Sequence, residues 1–137
     1  MIPKFRAWDK LRKRMSIVDR IYFDTEGVQL RDDGGLYWRN FRNITLMKST
    51  GLFDKNGTEI FEGDIIDTTD YEGGLSSVGN PLVKVERDKY GFVVTGDFPT
   101  SPITLKEFEA GRKFAGVEVI IAGNIYENPE LVEVIDD

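Results

Sequence analysis

Along this chain, apolar residues alternate with polar ones over short runs, and clusters of Gly, Asn, Asp and Pro separate the runs. Alternation with period two is the strand pattern, because successive side chains on an extended backbone point to opposite faces. Ile2 to Trp8 (IPKFRAW) reads as a first strand, with Phe5 and Ala7 on one face and Lys4, Arg6 and Trp8 on the other. Pro3 lies near its start, where a missing amide donor does least harm. The basic run Leu11 to Arg14 (LRKR) is the loop of a hairpin, and Met15 to Phe23 (MSIVDRIYF), rich in β-branched and aromatic residues, is the returning strand. Asp24 to Gly27 is a turn and Val28 to Leu30 a short strand. Asp32-Asp33-Gly34-Gly35 reverses the chain, since Asp-Gly and Gly-Gly supply the positive φ that tight hairpins demand. Leu36 to Phe41 returns as an aromatic-rich strand.

The stretch Ile44 to Ile66 carries the densest turn chemistry. Ile44 to Met47 is strand-like, Asp54-Lys55-Asn56-Gly57 holds an Asn-Gly hairpin signal, and Glu62-Gly63-Asp64 makes a second turn before Ile65 to Thr69. Tyr71 to Pro81 is a Gly/Ser-rich loop; Leu82 to Glu86 and Phe92 to Thr95 form a hairpin around Asp88 to Gly91, and Pro99 and Pro102 bracket a connection. Thr104 as N-cap and Glu107 three residues on form a capping box, which predicts a short helix near residues 104–110 with Gly111 as its stop. Gly116 to Ala122 is a closing strand, and Asn128 to Leu131 a short terminal turn with proline at its first position and a fraying acidic end. Short strands and tight turns at this spacing predict a mainly β protein built as a small antiparallel β-barrel. Residues 1–43 form an N-terminal β-hairpin extension packed on a barrel of residues 44–137, one compact unit overall at a length of 137 residues.

Composition removes several kinds of chemistry. Without Cys there are no disulfides or thiolate metal sites, and without His the commonest general base and transition-metal ligand are gone. A net charge of −6 argues against a general nucleic-acid binder, whose affinity comes from cations that release counterions. The charge is uneven: Met1 to Arg20 carries seven basic residues against two acidic, while Asn124 to Asp137 carries five acidic and none basic. Oppositely charged ends would suit meeting within a subunit or across a subunit contact. No apolar run reaches the length of a membrane span, and no apolar stretch follows the basic N-terminus, so a cytoplasmic protein without membrane contact is expected.

Serine- and cysteine-based triads are impossible here, and neither GxxxxGK[ST] nor GxGxxG occurs. Asp54, Glu62 and Asp64 sit in turns, where a carboxylate ordinarily serves backbone amides rather than a reaction. With Asn56, Gly57 and Gly63 they are expected to be structural. Asp32 and Asp33 beside Gly34 lack the alternating acids and closing Glu of an EF-hand loop. No catalytic residue, metal site, cofactor or small-molecule substrate is assigned, and no enzyme is expected. A nucleic-acid role would rest on the basic loop Lys10, Arg12, Lys13 and Arg14 with Tyr37, Trp38 and Arg39, since aromatics with an interleaved Arg can stack single-stranded bases.

Three blocks in order, KFRAWD (Lys4 to Asp9), LMKSTGLFDKNGTEIFEGDII (Leu46 to Ile66) and GNIYENPEL (Gly123 to Leu131), resemble the YopX family of phage and prophage proteins. Thr69 to Ala115 carries no matching block. The resemblance implies an SH3-like form of the β-barrel, in a protein without an established biochemical activity. It supplies no catalytic residues. Most matching positions are corner residues, but Arg6, Trp8, Asp9 and Tyr126 are not turn formers and are the candidate interaction surface. The expected function is a non-enzymatic interaction module in a bacterial host cell, working through a protein partner or as a homo-oligomer. A nucleic-acid accessory role is the alternative, and a carboxylate-dependent hydrolase the remotest reading.

Overall fold

The alternating segments fold as strands, and the punctuation between them supplies the turns. A computed structural model describes residues 4–68, 82–89, 91–98, 100–115 and 119–136. The protein is mainly β, with two antiparallel sheets and two short helices among the described residues. The chain divides into two units, Met1–Ser49 and Thr50–Asp137.

In the first unit, β1 (Phe5–Asp9), β2 (Arg14–Tyr22), β3 (Gly27–Asp32), β4 (Gly35–Asn40) and the first half of β5 (Ile44–Phe53) lie in the order β4-β3-β2-β1-β5. The packed face carries Ala7, Val28, Leu30 and Ile44, all buried, with Val18, Ile21, Tyr37, Phe41 and Leu46 against them. Val18 and Ile21 differ by an odd number, so strict alternation would put them on opposite faces. A register shift between Val18 and Arg20 restores the match: Val18 stands opposite Leu30 and Ile21 opposite Val28. The basic run forms the β1–β2 loop as expected, closed by Lys13 N–H donating to the Asp9 carbonyl at 2.8 Å. Lys13 takes the left-handed conformation, φ 54°.

The second unit holds the rest of β5 beside β6 (Glu59–Phe61), and a five-stranded sheet in the order β10-β9-β8-β7-β11. Its strands are β7 (Asp64–Asp67), β8 (Leu82–Asp88), β9 (Gly91–Gly96), β10 (Ile103–Thr104) and β11 (Ile120–Asn124). No closed barrel is found among the described residues. A helix packs on part of this sheet. β10 has two residues and runs straight into α1 (Leu105–Ala115), whose Leu105 and Phe108 pack with Val83, Val85 and Val94. α1 thus covers apolar side chains of β8 and β9.

Both helices exceed their sequence-based lengths. Thr104 caps α1 as expected, its Oγ1 accepting the Glu107 N–H at 3.1 Å, but α1 runs through Gly111 to Ala115. A mid-helix glycine costs about 1 kcal/mol, and the pairs that Arg112 and Lys113 make across it with Glu109 offset part of that cost. α2 (Pro129–Asp136) replaces the fraying end, starting on proline. The expected loop at 71–81 lies outside the described residues, as do residues 116–118 of the expected strand 116–122, whose last three residues belong to β11.

The Asp54 loop ties distant segments together. Asp54 Oδ1 accepts the N–H groups of Asn56 and Thr58, each at 2.9 Å, and Oδ2 accepts the N–H of Ile121 at 3.1 Å. Lys55 N–H adds a bond to the Val119 carbonyl at 2.9 Å. Gly57 at φ +80° closes the loop, in a conformation a side chain would strain. Hydrogen bonds to a charged group are each worth about 1.5–3 kcal/mol net, so Asp54→Ala is expected to lose at least about 2 kcal/mol in urea denaturation, with Asp54→Asn recovering part. A loss below about 0.5 kcal/mol would mean that the loop does not hold β11.

Candidate interaction surface

Asp9 ends β1 with its side chain fully buried. Oδ1 accepts the N–H of Leu11 at 3.0 Å, the N–H of Arg12 at 3.3 Å and Nε–H of Arg39 at 3.1 Å. Oδ2 is buried without a hydrogen-bond partner. Burial raises the carboxyl pKa, but the Arg39 guanidinium, the amides of Arg12 and Leu11 and, more weakly, the Tyr37 hydroxyl outweigh it, and Asp9 titrates below the ordinary aspartate value. Asp9 was expected to be no turn former; it organises the β1–β2 loop.

Arg39 and Arg12 each place their guanidinium carbon 4.9 Å from the Tyr37 ring centroid. The Tyr37 hydroxyl lies 2.7 Å from Ser16 Oγ. Arg12 Nη1 donates to Asp32 at 3.0 Å, with Arg14 Nη1 3.6 Å from the same oxygen. Asp32 also receives the Gly34 N–H at 2.7 Å, so it serves the β3–β4 turn and the basic loop. The cations expected to meet nucleic acid are thus largely engaged inside their own unit. Trp38 does not join them. Alternation along β4 sends Tyr37 and Arg39 to the packed face and Trp38 to the other, where its ring stands 5.5 Å from that of Tyr22. There it lies over Gly27, at which an added Cβ would come within 2.2 Å of Trp38 Cζ2. The expected three-residue platform is therefore split across the sheet.

That other face is the surface which the sequence reading missed. In register across β1, β2, β3 and β4 stand Arg6, Ile17, Arg31 and Leu36. Arg20, Gln29 and Trp38 form the adjoining row. Ile17 is 64% exposed, Leu36 52% and Trp38 40%. Arg31 pairs with Asp19, which the β2 register shift sets out of the ladder. The signal was present in the sequence: Ile17-Val18 and Leu36-Tyr37-Trp38 put apolar residues on both parities of strands that need only one packed face. Of the four residues expected to form one surface, Arg6 and Trp8 share this face, Asp9 points to the other, and Tyr126 belongs to the second unit.

Tyr126 sits in a turn built by Asn124, whose Oδ1 accepts the N–H groups of Tyr126 at 3.0 Å and Glu127 at 2.8 Å. Asn128 Oδ1 accepts the Asn124 N–H at 3.1 Å and lies where a Cβ on Gly123 would fall, 2.3 Å away. The remaining motif residues are corners too. Thr50 Oγ1 donates to the Ile60 carbonyl at 2.7 Å, Asp64 Oδ2 accepts the Phe61 N–H at 2.8 Å, and Glu62 stands 3.5 Å from Arg87 Nε. Gly63, at φ +90°, donates its N–H to the Val85 carbonyl and accepts that of Ile125. No group of three acidic side chains able to hold a metal occurs among the described residues, and no described helix is long and apolar enough to cross a membrane.

Charge separates the units more sharply than it separates the chain ends. Residues 1–49 carry eleven Lys and Arg against six Asp and Glu, a net +5. Residues 50–137 carry seven against eighteen, a net −11.

Because the fold favours ionised Asp9, its contribution is complete above the ordinary carboxylate range and is lost as pH falls through the lowered pKa. Removing one partner of a buried pair costs about 3–5 kcal/mol, and Arg39 is exposed enough to rehydrate, so Asp9→Asn is expected to cost about 3 kcal/mol at neutral pH. Denaturant titrations should show the gap narrowing only below the ordinary aspartate value. Equal stabilities at neutral pH would refute the assignment.

No match is found among curated proteins. The fold is similar to the crystal structure of protein EF1440 from Enterococcus faecalis, at a TM-score of 0.62 and 26% identity, over 96% of this chain and 99% of that one. The YopX protein family matches residues 4–133, which takes in β1 through most of α2, and the chain belongs to that family.

Proposed function

We propose that this protein is a phage- or prophage-encoded, non-enzymatic interaction module that acts in the bacterial cytoplasm by protein–protein contact through the outer face of its first unit. The observation that carries the reading is the in-register row Ile17, Arg31, Leu36 with Trp38 beside it, apolar side chains held in solvent on a rigid sheet. Fully burying an Ile or Leu side chain is worth about 1.5–3 kcal/mol, so covering these half-exposed residues gives a partner a modest apolar anchor with a cationic rim. In this reading the second unit is a divergent SH3-like barrel, supported by its short strands and by the tight corners at Gly57, Gly63 and Gly91.

The positive first unit favours a nucleic-acid accessory role as the second reading. Against it stand the engagement of Arg12, Arg14 and Arg39 with Asp32 and Asp9, and the separation of Tyr37 from Trp38. Exposed aliphatic groups suit a protein surface better than they suit a base.

The test is recovery of cross-linked proteins from a bacterial host expressing the tagged wild type or the Ile17→Asp/Leu36→Asp variant. Both positions are exposed, so the variant should keep its fold, with a stability change near 0.5 kcal/mol per site. The wild type should recover proteins that the variant loses. The same set recovered by both, with a wild type that does not associate with itself, would sink the reading, and low-salt recovery of nucleic acid that depends on Arg12 and Lys13 would favour the alternative.

A further inference from the structure

The outer face of the first unit is cationic as well as apolar, and the second unit of the same chain is strongly anionic. The second unit also exposes apolar side chains of its own. Phe53 ends β5 and Ile120 begins β11, both exposed. Their segments adjoin, because Lys55 N–H reaches the Val119 carbonyl and Ile121 N–H reaches Asp54 Oδ2. Asp67 stands directly opposite Ile120 in the β7–β11 ladder, so a carboxylate accompanies the exposed isoleucine.

We propose that the partner covering Ile17, Leu36 and Trp38 is the second unit of another copy of this chain, so that copies associate head to tail. The inference rests on the preceding reading of that face as an interaction surface and names its occupant. Charge selects this pairing over the symmetric ones. Joining two first units sets +5 against +5, and joining two second units sets −11 against −11, whereas head-to-tail contact sets opposite charges together. One contact then covers exposed apolar residues on both units. It is heterologous, so each associated pair keeps one unused face of each kind, and the assembly either closes into a ring or extends.

Two consequences are measurable. Opposite net charges steer the contact, so association should be strong in dilute salt and weakened at least tenfold near 0.5 M salt, where the screening length drops to roughly 4 Å. Blocking the two faces in separate molecules should have different effects alone and together. The Ile17→Asp/Leu36→Asp protein keeps only its second-unit face, and a Phe53→Asp/Ile120→Asp protein keeps only its first-unit face. Sedimentation velocity over a concentration series should show wild-type mass rising with concentration, each variant monomeric, and their equimolar mixture forming a one-to-one complex that grows no further.

A wild type that stays monomeric overturns the proposal, as does a mixture that stays monomeric while the wild type associates. A Phe53→Asp/Ile120→Asp protein that still self-associates also overturns it, because the contact is then between two first units. Carbodiimide cross-linking of mixed light and heavy-isotope wild-type copies provides a check independent of the folding of any variant. Intermolecular links should join Lys4, on the side of Arg6 and Trp8, to carboxylates of residues 50–137, and links confined to first-unit pairs would overturn the proposal. Monomeric wild type together with host proteins lost by Ile17→Asp/Leu36→Asp defeats this inference alone. Identical host recovery together with monomeric wild type defeats the reading beneath it as well.

Discussion

A carboxylate removed from water must be satisfied by whatever the chain brings to it, and Asp9 makes that constraint the organising fact of the first unit. Two amides of its own loop and the guanidinium of Arg39, thirty residues away, meet at one oxygen. The loop cannot relax without giving up the strand that carries Arg39. Asp54 repeats the arrangement in the second unit, with two local amides and the distant N–H of Ile121. In both units an acid in a turn joins segments far apart in sequence. Residues that resemble candidate catalysts by type are thereby committed to holding the fold.

Local chemistry was readable from the sequence and long-range coverage was not. The turns at Asp32–Gly35, Asn56–Gly57, Gly63 and Asp88–Gly91 each follow from a few adjacent residues with restricted backbone preferences, and strands flank each of them. The cap at Thr104 is equally local. The length of α1 is not, because beyond Gly111 it is accompanied by pairing of Arg112 and Lys113 with Glu109 one turn back, which an end marked by glycine does not announce. No closed barrel is found among the described residues, where α1 packs on the sheet, and no short window of sequence states which element will cover a sheet.

The candidate site divides along similar lines. Tyr37, Trp38 and Arg39 are adjacent in sequence and looked like one platform, yet neighbours on a strand face opposite ways. Asp9 and Arg39 are far apart in sequence and meet. The outer row Arg6, Ile17, Arg31 and Leu36 depends on cross-strand register, which only the assembled hairpins define. What the sequence did carry was an excess: strands with one buried face had apolar residues for two.

One bond among these has an effect beyond its own site. Besides holding Asp9, Arg39 donates through Nη1 to the Trp38 carbonyl at 2.9 Å, and β4 is the last strand on its side of the sheet. A backbone acceptor on that rim is therefore occupied by a charged group, one of the means by which proteins deter a foreign strand from adding itself. Cross-β growth is discouraged at that carbonyl. A visitor is left to approach broadside, against side chains rather than main chain, which makes recognition here a matter of sequence and not of backbone alone.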